Sequence, residues 1–120
     1  MTAESVLAAM TARAEAATPG PWHTQRRETY VNVWADDDFD EVAVCEFRPE
    51  FHKNAAFIAA ARTDVPRLVA TLRAVLALHV YKFADGTILD ECPVCVDEML
   101  EAVPYPCATV RAITAALEES

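Results

Sequence analysis

The sequence predicts an α+β fold: a small antiparallel β-sheet packed by three or four helices, closed by a C-terminal cysteine-rich clasp. Three observations point to it. Apolar residues recur at helical spacing in Thr2–Ala17, Pro49–Arg62, Asp64–His79 and Cys107–Glu118, the period switches to two between Trp22 and Phe47, and three of the four cysteines fall between Cys92 and Cys107. The 120 residues, 53% hydrophobic and 24% charged, suit one globular domain in which roughly two-thirds of the unfolded surface is buried. Within that domain, residues 1–78 read as a helix–hairpin–helix–helix part and 79–120 as a Cys/His clasp with a terminal helix.

The first helix starts from a capping Thr2, with Val6, Met10 and the stem of Arg13 on one face beside Leu7 and Ala14. Thr18-Pro19-Gly20-Pro21 ends it, because neither proline continues a helix, and Trp22 then plugs the edge of the core. Tyr30–Trp34 and Val42–Phe47 form a hairpin around the acidic loop Asp36–Glu41, with a third strand at His23–Arg27. A second helix over Pro49–Arg62 carries Phe51, Ala55, Ile58 and Ala61 as its stripe. Asp64 is expected to cap a separate third helix, with Pro66 in its first turn and Val65, Leu68, Val69, Leu72, Val75, Leu76 and His79 facing the core. Phe83–Gly86 reads as a turn, Asp90–Ala102 as a Cys-Pro-Val-Cys turn with a short helix, and the last helix buries Cys107, Val110, Ile113, Thr114 and Leu117.

The cysteines carry the chemistry. Cys92-x-x-Cys95, Cys107 at a helix start and an inward-facing His79 have the composition of a Cys3His structural Zn2+ site, with two ligands on a turn and two at helix ends. The dipole at a helix N-terminus also favours a thiolate at Cys107. Buried thiols and a redox-active pair are the competing readings, and Asp90, Glu91 and Asp97 compete with His79 for the fourth position. Cys45, in a strand, reads as a small core residue. A deaminase centre needs His-x-Glu and Pro-Cys-x-x-Cys. Here the histidine reads His79-Val80-Tyr81, and Glu91 precedes Cys92, so the catalytic-zinc pattern fails.

Other patterns are weaker. Asp36, Asp38 and Asp40 alternate as in an EF-hand loop, but Glu41 stands where glycine is required and Phe47 where the last glutamate belongs. The loop reads as a solvated turn or as an acidic patch for a basic partner surface. Asp36, Asp37, Asp38, Asp40 and Glu41 with Trp34, Arg26 and Arg27 form the candidate partner-binding face. No Ser/His/acid grouping suggests a triad, and Gly20 and Gly86 are the only glycines, too few for a phosphate-cradling loop. A net charge of −9 argues against nucleic acid, no apolar run spans a membrane, and Glu4 precedes the first basic residue, unlike a secretory leader. The expectation is a cytoplasmic protein without enzymatic activity.

Arg13–Trp22, Asn54–Arg62 and Val65-Pro66-x-Leu68 resemble the ead-like early proteins of temperate phages. Cys92-x-x-Cys95 and Tyr105–Ala112 are similar to small proteins of actinobacterial phages and prophages that share that front half, and the alanine-rich composition suits such GC-rich genomes. The resemblance implies an accessory protein of the host cytoplasm, made early in infection or resident in a prophage, and no catalytic residue carries over from it. The expected role is binding and modulation of a host or phage protein. A protein that sequesters a nucleotide signal is the alternative, and a DNA-binding regulator ranks last because the terminal helix offers only Arg111.

Overall fold

The computed structural model describes residues 2–35, 41–46 and 50–118. Its elements are α1 (Ala3–Ala16), β1 (Trp22–Arg26), β2 (Tyr30–Ala35), β3 (Glu41–Glu46), α2 (Phe51–Leu78), β4 (Glu91–Val96), β5 (Ala102–Pro104) and α3 (Ala108–Glu118). The fold is α+β, as the periodicities predict. The chain forms two compact units, one of Met10–Val69 and one of Met1–Ala9 with Ala70–Ser120.

In the Met10–Val69 unit, β1, β2 and β3 form an antiparallel sheet with β2 at its centre. Val31 and Val33 of β2 are buried against Phe51, Ala55 and Ala59, three successive turns of one α2 face. Cys45 packs at the edge of this cluster, the core role expected of it. Asn32, on the opposite face of the central strand, is buried too and donates its amide to the Glu41 carboxylate. The Thr18–Trp22 segment is fixed by one acceptor. The Thr18 carbonyl receives Trp22 Nε1–H and Arg62 Nε–H, each at 3.1 Å. Gly20 sits where a Cβ would come within 2.7 Å of Arg62 Cγ, so the glycine is required by close approach.

Two expectations for the helices and strands are corrected. Asp64 caps nothing: α2 runs unbroken through Pro66. The proline forfeits the bond its N–H would give the Arg62 carbonyl, but the alanine-rich turns before it favour helix strongly. The packed positions Phe51, Ala55 and Ala59 also continue at the same spacing through Arg62, Pro66 and Val69, so the helix keeps one inward face across it. Of the seven residues assigned to the inward stripe of a third helix, Val69 is buried, Leu72, Val75, Leu76 and His79 are half-buried, and Val65 and Leu68 are exposed. Asp90–Ala102 holds no helix. Pro93, Val94 and Val96 favour extended backbone, and the segment forms β4, which pairs antiparallel with β5. The asparagine-free turn between them is held by Asp97, whose carboxylate accepts the Met99 and Glu101 N–H groups.

In the other unit, Thr2 caps α1 as expected and Ser5 reciprocates. Ser5 N–H donates to Thr2 Oγ1 at 3.0 Å, and Thr2 N–H to Ser5 Oγ at 3.1 Å. Ala3 and Leu7 are buried. The remaining core is Cys92, Cys107 and Val110, with Leu76, Cys95, Val103 and Tyr105 against it. Phe83–Gly86 is the expected turn, with Gly86 N–H donating to the Phe83 carbonyl and Gly86 at φ 92°. No described helix is long and apolar enough to cross a membrane.

Candidate metal centre

Three segments deliver the four residues. His79 follows the last turn of α2, its N–H bonded to the Leu76 carbonyl. Cys107 precedes α3 as its N-cap, its carbonyl accepting from Arg111 N–H. Cys92 and Cys95 lie within β4 rather than on a turn. Residues three apart on a regular strand point to opposite faces. The register of β4 against β5 slips between Glu91 and Val96, and this irregularity lets both sulfurs turn to one side.

The result is a compact donor set: His79, Cys92, Cys95 and Cys107 place their ligand atoms within 4.8 Å of one another. His79 Nδ1 lies 3.3 Å from Cys92 Sγ, 3.3 Å from Cys95 Sγ and 3.4 Å from Cys107 Sγ. One ring nitrogen makes a single hydrogen bond, so three equidistant sulfurs are not explained by hydrogen bonding. A tetrahedral ion explains them: bonds of about 2.3 Å to sulfur and about 2.0 Å to nitrogen set those atoms about 3.5 Å apart. The four residues can therefore hold a metal ion.

The electrostatics of the free thiols suit that role. Burial alone pushes the Cys107 thiol up, but the N–H groups of Val110 and Thr109 and the thiols of Cys92 and Cys95 outweigh it and hold it below its usual value. This is the helix N-terminus acting on its cap residue. Cys95 is pushed up to about 11, chiefly by its hydrogen bond to Cys92 and then by burial and the neighbouring Cys107. Cys92 and Cys107 are 2% and 1% exposed, which leaves solvent no direct approach to either sulfur.

His79, not an acidic residue, completes the set. Asp90, Glu91 and Asp97 are exposed and outside the cluster, and Asp97 spends its carboxylate on the β4–β5 turn. Asp36, Asp37, Asp38 and Asp40 lie outside the described residues. Trp34 and Arg27 line one shallow cavity, Glu41 lines another, and the Arg26 guanidinium sits 5.8 Å over the Phe51 ring. Sequence reasoning missed a second surface, the groove where α1 and α2 line one cavity with exposed Phe57 beside it. Its only signal was the apolar periodicity of α2, which had been assigned to the core. No family model, curated protein or solved structure matches the chain.

Proposed function

We propose that the four-residue centre holds a structural zinc ion, and that the chain is a non-enzymatic binding protein which modulates a protein partner. The observation that carries the metal assignment is the equal distance of His79 Nδ1 from three cysteine sulfurs. Three soft thiolates and one imidazole favour zinc over harder cations. Four protein donors fill a tetrahedral shell and leave no position for a reactive water, which supports a structural ion. The small core around it supports this reading: among the described residues Val110 is the one aliphatic side chain buried with Cys92 and Cys107, and Leu76 and Val103 pack there half-buried. Burying one valine is worth about 2 kcal/mol, whereas structural zinc contributes on the order of 10 kcal/mol to folding.

The resemblance of Arg13–Trp22 and Asn54–Arg62 to early phage proteins supports an accessory role in a phage-infected or lysogenic cytoplasm, with a host or phage protein as partner.

Elemental analysis of untagged protein, purified without chelator, tests the metal reading. About one zinc per chain is expected, lost with folded signal in Cys92→Ser and Cys107→Ser, and cobalt loading should give the absorption of a tetrahedral thiolate site. Metal-free folded protein with a Cys92–Cys95 disulfide would replace this reading with a redox pair.

A further inference from the structure

We infer that the groove lined by α1 and α2 in the Met10–Val69 unit is a docking site for an acidic amphipathic helix of a partner protein. This rests on reading the chain as a binding protein, and not on the metal.

The groove encloses about 500 Å3, with Met10 and Ala14 of α1 on one side and Phe57, Ala61 and Val65 of α2 on the other. Phe57 is 76% exposed, Val65 42% and Leu68 62%. A single exposed apolar side chain is ordinary. Phe57 and Val65, two turns apart and lining one apolar groove, with Leu68 a turn further along the same helix, mark a contact surface. The row is long enough to meet several turns of a second helix, which would seat its own side chains at i, i+3, i+4 and i+7.

Charge selects the partner. The protein as a whole carries −9, yet the ionisable residues lining this groove are Arg13 and Arg62, with no carboxylate among them. Arg62 is held by its bond to the Thr18 carbonyl and lies 5.9 Å over the Trp22 ring, so its charge is positioned before anything binds. Preorganised charge above an apolar floor spares part of the ordering cost of association and acts through a reduced dielectric. The complementary segment is apolar on one face and flanked by Asp or Glu. A basic helix would meet the fixed charge of Arg62 and that of Arg13.

The test is selection of helical peptides of about four turns, from a library randomised over Ala, Leu, Phe, Asp, Glu and Lys, on immobilised full-length metal-loaded protein. Enriched sequences should place apolar residues at helical spacing with an excess of Asp and Glu, and their affinity should fall as salt rises. Phe57→Glu and Leu68→Glu should each weaken binding about tenfold or more. Both positions are exposed, and circular dichroism with metal content confirms that each variant is folded. Arg13→Glu should turn the selection toward Lys. The inference is overturned if peptides bind Phe57→Glu as well as the parent, or if the enriched set lacks an acidic bias. It is equally overturned if the parent sediments as a dimer that Phe57→Glu dissociates, since a second copy would then cover the row. Loss of zinc in Cys107→Ser with peptide binding retained separates failure of the metal reading from failure of this one.

Discussion

A single backbone oxygen organises the segment between α1 and β1. The Thr18 carbonyl accepts both the Trp22 indole and the Arg62 guanidinium, and Gly20 leaves room for the arginine stem. Gly20→Ala is expected to cost about 1–2 kcal/mol, because Arg62 must shift away from a Cβ and give up these contacts. In an Arg62→Ala background the same change should cost almost nothing, and denaturant midpoints of the four proteins close the cycle. Equal costs in both backgrounds would dismiss the steric account. At the metal centre the thiols differ in the same residue-by-residue way. Protons compete with metal for thiolates, so acidification releases the ion. Cys95, whose thiol is pushed up to about 11, should take back its proton before Cys107, which is held low. Only the thiolate attacks maleimide, so brief labelling during stepwise acidification, mapped by mass spectrometry, should find Cys107 modified ahead of Cys95. The reverse order would contradict the helix-cap assignment of Cys107.

Elements reveal where periodicity is informative and where it is silent. The four metal-site residues were legible because cysteine spacing carries a chemical signal of its own, and because helical phase turned His79 inward. The slip in β4 that brings Cys92 and Cys95 to one side was not legible, since it depends on pairing with β5. Nor was the continuity of α2. Local rules read Asp64 and Pro66 as a helix start, while packing on both sides of the proline keeps one helix. Phe57, Val65 and Leu68 show a further limit: a helical stripe identifies a face but does not say what covers it. Because Pro66 sits inside α2, Pro66→Ala should restore the hydrogen bond to the Arg62 carbonyl. Stability is expected to rise by about 1–2 kcal/mol, less than the full intrinsic penalty of about 3 because the freed chain also gains entropy when unfolded. A drop in the urea midpoint would mean that the proline ring itself contributes packing at that position.

At the scale of the molecule, the two units differ in what holds them. Met10–Val69 has a three-stranded sheet and a conventional apolar core, whereas the other unit gathers its core around sulfur. Chelation should therefore act unevenly. Amide hydrogen exchange in the presence of a strong chelator is expected to lose protection in β4, β5 and α3 while β1, β2 and β3 keep theirs. Uniform loss would show that the sheet unit depends on the ion as well. The division in sequence also sets a schedule for synthesis. Met10–Val69 is contiguous and leaves the ribosome as a finished stretch, free to collapse at once. Ala3 and Leu7 emerge before it but belong with residues from Ala70 onward, and the last metal ligand is Cys107. Ala3 and Leu7 thus wait on Cys107, and Cys92 and Cys95 stand open only for the short stretch of synthesis that precedes it. With the centre filled as proposed, a cell short of the metal would accumulate chains with a complete sheet and an unfinished clasp, a species defined by the timing of translation and not by any fault in the sequence.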